Sequence, residues 1–179
     1  MTAPDVSGIY RSHFDMVCDF HKKFGVPVRA VPAMLPPDEH EFRLRFLYEE
    51  IKEYSDSYQA NDFTKQADSL LDLIYVAYGT LALMGINANI AMGIVHNANM
   101  QKVRAPSADA SKEATGRGHE FDVIKPDGWI APEPRLDLLI ALYRVHRTDK
   151  TQLRKALAAN FSALFPELQL PELQQQDEG

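Results

Sequence analysis

One charged residue, Asp72, lies in the middle of the most apolar segment of the chain, Ser69–Met84, which carries no other charge. Projected on a helix, apolar side chains surround nearly the whole circumference of this segment. The pattern predicts a helix that is buried on most sides. A carboxylate buried there without a partner costs on the order of a few kcal/mol. Asp72 is therefore expected to be protonated, paired or bound to a cation.

Further carboxylates are placed to join Asp72. Asp68 lies one turn earlier on the same stripe. The preceding predicted helix carries three more acids, which are Glu49, Glu50 and Glu53. Two helices that each present acids at three- or four-residue spacing can form an all-oxygen pocket, which suits Mg²⁺ or Mn²⁺.

Each acid also has a simpler interpretation. The glutamates can belong to a solvated helix face, and Asp68 can be a first-turn acid that the helix dipole favours. Asp72 can form an ion pair, for which the candidate partners are Arg43, Arg45 and Lys65. A di-iron centre is disfavoured, because such bundles need Glu-x-x-His pairs and no histidine here follows a glutamate at that spacing.

Composition narrows the class of protein. With 179 residues and a single cysteine, the chain is long enough for a sizeable core and cannot form an intrachain disulfide. A reducing, cytoplasmic location is expected. A net charge of −6 argues against a nucleic-acid surface, although not against a phosphate ligand accompanied by cations. No segment is apolar enough, over the necessary length, to predict a membrane span.

The helical period predicts an all-α protein, a bundle of four to five helices with a C-terminal arm and extra helices. The four bundle helices are predicted at 6–24, from Asp38, at 63–84 and at 88–103. Asp38 and Glu41 predict a capping box, and Asn61 or Asp62 is the predicted N-cap of the third helix. Three regions are expected: a core at 1–104, an extended arm at 105–134 and a helical extension at 135–179.

Polar residues near the end of the fourth helix are candidates for ligand binding. Asn99 and Lys102 lie one turn apart and can face one ligand, with lysine as a point charge for phosphate. The alternative is an ordinary polar helix C-terminus. Lys125 precedes a Pro-Asp-Gly turn that ends in Trp129, the only tryptophan, although such turns are common.

The combined pattern resembles the MazG-like family of all-α nucleoside triphosphate pyrophosphohydrolases. The residues that carry this resemblance are Glu49, Glu50, Glu53, Asp68, Asp72, Tyr75, Gly79, His96, Asn99 and Lys102. In style the chain is most similar to phage-type, MazZ-like members. Ser69 stands where the family usually has a glutamate three residues before Asp72, and Asp68 is expected to replace it.

The resemblance implies hydrolysis of a (deoxy)nucleoside triphosphate to the monophosphate and pyrophosphate, with dGTP or GTP favoured. It implies Mg²⁺ or Mn²⁺ as cofactor, with Glu50, Glu53, Asp68 and Asp72 as the metal ligands. Glu49 and Glu50 are the candidate catalytic residues, Glu49 by orienting or deprotonating the water. Asn99, Lys102 and Lys125 are the implied substrate-binding residues.

The resemblance also implies a homodimer or homotetramer, without nucleic-acid or membrane partners, in the host cytoplasm if the protein is phage-encoded. One alternative is a dUTPase-like or phosphoribosyl-nucleotide pyrophosphohydrolase. Another is a non-catalytic helical oligomerisation module whose acids bind a structural cation.

Overall fold

Helices dominate the computed structural model, which describes residues 12–166 and 168. Within that part of the chain the helices are α1 His13–Lys23, α2 Pro37–Gln59, α3 Phe63–Leu83, α4 Ala88–Met100, α5 Ala108–Thr115, α6 Glu133–Val145, α7 Lys150–Ala159 and α8 Phe161–Leu164. The strands β1 Val103–Arg104 and β2 Val123–Ile124 pair antiparallel, with Val103 opposite Ile124. This content confirms the predicted all-α fold.

The chain divides into two compact units, Met1–Ala91 and Met92–Gly179. In the first unit, Phe14 and Cys18 of α1 pack with Ala82 of α3 and with Ala88 in a buried cluster. Buried residues of the second unit are Ile94, Ala98, Ala105, Leu139 and Leu164. The three-region organisation predicted from the sequence remains a prediction.

The predicted helix boundaries hold best where capping chemistry is strong. The Asp62 side chain accepts a hydrogen bond from the Lys65 backbone N–H at 2.9 Å, which confirms Asp62 as the N-cap of α3. The predicted capping box at Asp38 is wrong, because α2 begins at Pro37 behind Pro36 and has no side-chain cap. Proline is suited to this first position since it lacks the N–H that a cap would satisfy. The part of the first predicted helix before residue 12 lies outside the described residues.

The segment after α4 is more regular than its composition predicts. The fourth helix ends at Met100 rather than Val103, because Val103 and Arg104 enter the β-strand pair. The arm also contains α5, which Ser107 caps by accepting from the Ala110 backbone N–H at 3.1 Å. A helix of eight residues is too short to give a clear period, so the sequence indicated only an extended arm.

The expectation that α3 is buried on most sides is wrong for the single chain. Leu70, Leu71 and Ile74 are 43%, 65% and 49% exposed. Burial is greatest at the C-terminal end of the helix, where Ala82 and Leu83 are nearly inaccessible. The apolar circumference therefore exceeds what one chain covers.

The proline-containing loop between α1 and α2 is attached to the end of α3. The backbone N–H groups of Arg29 and Ala33 donate to the carbonyls of Ala82 and Met84, both at 3.0 Å. The Arg29 guanidinium donates to the Leu83 carbonyl at 2.9 Å and pairs with Glu39. The Leu83 and Met84 carbonyls are among those that a helix terminus otherwise leaves without partners, whereas the Ala82 carbonyl also accepts from the Gly85 N–H at 3.2 Å.

Among the described residues, no single helix combines the length and apolarity of a membrane span, and only α3 and α4 taken together reach them.

Candidate active site

Two neighbouring helices, α2 and α3, carry all the predicted metal ligands. A connection of three residues, Ala60–Asp62, joins them, so they run antiparallel. Arg43 near the start of α2 accordingly contacts Thr80 near the end of α3, at 3.0 Å between Nε and Oγ1. This arrangement brings the middle of α2, around Glu50, opposite Asp72.

The acids of the two helices influence one another electrostatically. The pKa of Glu50 is raised, first by partial burial and then by four neighbouring carboxylates, which are Asp72, Glu53, Glu49 and Asp68. These are the acids that the sequence proposed for the site. The fold therefore gathers all five around one part of the α2–α3 surface, and like charges there favour protonation or a bound cation.

Asp72 is exposed in the single chain, contrary to the expectation from sequence. Its pKa is nevertheless raised, first by the partial burial of its carboxyl group and then by Asp68 and Glu53. None of the ion pairs found among the described residues includes Asp72, and Arg43 donates its hydrogen bonds to Val76 and Thr80 instead. The ion-pair alternative for Asp72 thus finds no support.

The acids do not form a finished metal centre. Within residues 12–166, no three histidine, cysteine, aspartate or glutamate side chains converge as ligands of one ion. Carboxylates that repel one another on exposed helix faces have no reason to converge without a counter-ion. Their donor chemistry fits a hard divalent cation, since every donor is a carboxylate oxygen.

Aromatic side chains lie beside the acids. Tyr75, one turn after Asp72, packs edge-on against Phe20 of α1 with ring centroids 5.5 Å apart. Burial raises the pKa of the Tyr75 hydroxyl. Phe20 also contacts Phe24 at 4.6 Å, and both rings remain substantially exposed. This apolar surface borders the acidic one.

In the second unit, two of the three predicted substrate-binding residues meet at Trp129. The ammonium groups of Lys125 and Lys102 lie 4.5 Å and 5.8 Å from the centroid of its ring, distances typical of cation–π contacts. The indole N–H donates to the Ala98 carbonyl at 2.7 Å, which fixes the ring to α4. Asn99 is exposed, and its carbonyl accepts from the Lys102 backbone N–H at 3.1 Å.

The sequence model of the phosphoribosyl-ATP pyrophosphohydrolase family, PRA-PH, matches residues 17–99. The match spans less than half of the chain, and residues 17–99 are similar to this family. PRA-PH domains fall within the MazG-like all-α superfamily that the residue pattern resembles. No curated protein matched the sequence.

The PRA-PH match confirms the prediction of an enzyme, a nucleotide pyrophosphohydrolase. The matched segment contains all five acids and Asn99 but ends before Lys102 and Lys125. The part of the chain after α4 therefore lies outside the matched segment. The roles of individual residues remain predictions.

Two side chains with long-range contacts, one in each unit, were missed from the sequence. Arg43 was considered only as an ion-pair partner of Asp72, whereas its guanidinium bridges α2 and α3. Trp129 was noted only as part of a common turn, whereas its ring contacts both lysines. The uniqueness of Trp129 was the available signal, but no periodic pattern marks Arg43.

Proposed function

We propose that this protein hydrolyses a (deoxy)nucleoside triphosphate between the α- and β-phosphates, releasing the monophosphate and pyrophosphate. The observation that carries the proposal is the group of five carboxylates on α2 and α3, whose members raise the pKa of Glu50. The PRA-PH match to the same helices supports it.

Glu50, Glu53 and Asp72, with Asp68 in place of the usual glutamate, are the proposed ligands of Mg²⁺ or Mn²⁺. Partial burial and then the neighbouring carboxylates raise the pKa values of Glu50 and Asp72, and a divalent cation would offset both effects. When bound, such a cation neutralises phosphate oxygens and lowers the pKa of a coordinated water.

The remaining residues act on the water and on the substrate. Glu49 adjoins the proposed ligands and is suited to orient the attacking water or to accept its proton. Lys102 and Lys125, gathered around Trp129, provide two positive charges for phosphate oxygens, and Asn99 provides an amide. The assignment of these three residues to the triphosphate rests on the family resemblance.

Among triphosphates, a purine substrate, dGTP or GTP, is favoured by the similarity to phage-type members. A second candidate is a phosphoribosyl nucleotide such as phosphoribosyl-ATP. The matched family carries that name, and the same α–β phosphate bond is broken. Both candidates require the same acids and differ only in the group attached to the α-phosphate.

Self-association is part of the proposal. Apolar side chains are exposed along both acid-bearing helices, among them Ile51 of α2 and Leu71 and Ile74 of α3, each at least 49% exposed. Exposed apolar surface of this kind marks interaction sites. A homodimer, or a dimer of dimers, would cover it.

The deciding experiment is incubation of the purified protein with each NTP, each dNTP and phosphoribosyl-ATP, with Mg²⁺ or Mn²⁺, followed by chromatographic resolution of the products. The expected products are a monophosphate and pyrophosphate, with dGTP or GTP the fastest. Release of orthophosphate would place the attack at another bond and overturn the reaction. Exclusive use of phosphoribosyl-ATP would select the second candidate.

A further inference from the structure

The side chain of Arg43 links the two acid-bearing helices through a closed set of hydrogen bonds. Its Nε donates to the Thr80 hydroxyl at 3.0 Å, and its Nη2 donates to the Val76 carbonyl at 2.6 Å. The Thr80 hydroxyl in turn donates to the same Val76 carbonyl at 2.9 Å. Because guanidinium donors have a fixed planar geometry, this ring allows little sliding of α2 along α3.

The partly buried guanidinium of Arg43 makes hydrogen bonds rather than an ion pair. Burial lowers the pKa of Arg43, and none of the ion pairs among the described residues includes it. The Arg43 guanidinium also lies 5.4 Å from the centroid of the Phe46 ring, but its hydrogen bonds go to a hydroxyl and a carbonyl and not to a carboxylate. A partly buried cation without an anionic partner is a costly way to stabilise a fold. Its directional hydrogen bonds are what an apolar side chain at this position could not supply.

The absence of a side chain at Gly79 leaves space for the Arg43 guanidinium. A Cβ atom added at Gly79 would lie 2.9 Å from Nη2 of Arg43 and 2.9 Å from Nε2 of His21. His21 is itself buried and held by its Nδ1, 3.1 Å from the Pro27 carbonyl. Glycine on α3 and a fixed imidazole on α1 therefore enclose the arginine head group.

The position of the bridge relates it to the acids. Val76 lies one turn after Asp72 on α3, and Arg43 lies about two turns before Glu50 on α2. A slip of one turn between the helices would move their side chains by about 5.4 Å. Such a slip would separate Asp72 from Glu50. Among the neighbouring carboxylates, Asp72 has the largest effect on the pKa of Glu50.

We propose that Arg43 is a positioning residue that fixes the register of α2 against α3, and thereby the spacing of the carboxylates of the two helices. The raised pKa values of Glu50 and Asp72 come from partial burial and from other carboxylates, and Arg43 is not among their causes. The proposed effect of the bridge is therefore on the positions of the carboxylates. This inference rests on the proposed function, because it assigns those carboxylates to one cation.

The first test measures register without any cation. In the full chain, spin labels are attached at Ser55→Cys and Ala77→Cys, two exposed positions on α2 and α3, after replacement of Cys18 by Ala. Pulsed electron resonance, on labelled protein diluted with unlabelled protein, then gives the interhelical distance. Arg43→Met is expected to shift or broaden the distance distribution, and Thr80→Val to do so less. A distribution unchanged by both substitutions overturns the proposal.

The second test titrates each unlabelled protein with Mn²⁺ alone by calorimetry and follows kcat and the Mn²⁺ concentration for half-maximal activity. Arg43→Met is expected to weaken Mn²⁺ binding roughly 10-fold or more, as when a supporting contact behind metal ligands is lost. Arg43→Lys keeps the charge but not the two-point bridge, and is expected to restore little. Arg45→Met, which removes an exposed charge from the same helix, is the matched control and is expected to bind as the wild type does.

Equal weakening in Arg45→Met and Arg43→Met would show a general effect of charge and refute the role of the bridge. A lower melting temperature in Arg43→Met with unchanged Mn²⁺ affinity would make Arg43 merely structural. If the wild type binds no Mn²⁺ and hydrolyses no nucleotide while Arg43→Met still shifts the spin-label distance, the proposed function fails and the register role stands.

Discussion

Replacing Asp72 by Asn tests whether the acids of α2 and α3 bind a cation. The substitution keeps the size of the side chain and removes a carboxylate whose pKa is raised first by partial burial and then by Asp68 and Glu53. Near water's dielectric, two charges about 6–8 Å apart repel by roughly 0.5–1 kcal/mol. Because Asp72 is exposed, salt screening reduces this further, so the metal-free variant is expected to gain no more than about 1 kcal/mol.

A gain of that size corresponds to a rise of about 2–4 °C in melting temperature for a chain of this length, measured by calorimetry in chelator at pH 7. The effect has a defined pH dependence. A folded-state pKa above the ordinary 3.8 means that folding favours the protonated carboxyl, so the contribution of Asp72 to stability is lost as pH rises through that pKa. The advantage of the variant should therefore be largest at neutral pH and vanish below about pH 3.8.

Asp72→Asn is also expected to lower hydrolysis on the order of 10²-fold or more, as loss of a charge-stabilising group does. Asp56→Asn is the matched control on α2, because Asp56 is exposed and already paired with Lys52. The control is expected to gain no stability. Destabilisation of Asp72→Asn by about 3–5 kcal/mol, the behaviour of a broken buried ion pair, together with retained hydrolysis would refute the reasoning.

Three further substitutions have defined outcomes. Gly85→Ala places a side chain at φ +74°, 2.6 Å from the Val31 carbonyl, and is expected to cost about 1–3 kcal/mol or more, seen as a melting temperature lower by several degrees. Asp122→Asn removes the carboxylate whose pKa the Arg117 guanidinium and other donors hold well below its usual range. The stability that the Asp122 carboxylate contributes is present above the ordinary pKa of 3.8 and is lost as pH falls. The variant should therefore melt at a lower temperature than the wild type at pH 7 and at nearly the same temperature in acid. An equal difference in melting temperature at both pH values would contradict this. Leu71→Glu is expected to lower the mass of the particle in light scattering if α3 lies in a subunit interface, and an unchanged oligomer would exclude Leu71 from it.

Local chemistry predicted the limits of α3, although it failed at the start of α2, where Pro37 and not Asp38 begins the helix. The Asp62 cap marked the start of α3, and its end at Leu83 lies within one residue of the predicted end, because such limits depend on the neighbouring backbone. The exposure of Leu71 could not be predicted in the same way. Periodicity shows that a face is apolar but not whether the same chain or another copy covers it.

The candidate site likewise has residues that the sequence pattern predicted and contacts that it did not. Glu50 and Asp72 were found because acids at helical spacing predict a shared face. In the structure, Asp72 is close enough to contribute, after partial burial, to the raised pKa of Glu50. The bridge from Arg43 to Thr80 joins residues 37 positions apart, and no local pattern announces a contact of that kind. Likewise, Trp129 reaches Ala98 across 31 positions. Such contacts follow from the register of packed elements rather than from spacing.

The attachment of the loop at residues 26–36 to the end of α3 has a consequence for the opening motions of the protein. Arg29 supplies hydrogen bonds to the last carbonyls of a helix 54 positions further along the chain, so the final turn of α3 and the loop complete each other. Neither can open alone without exposing the other's polar groups. In hydrogen-exchange terms, the amides of Arg29 and Ala33 should be protected as members of the same cooperative unit as α3, although no regular secondary structure holds them.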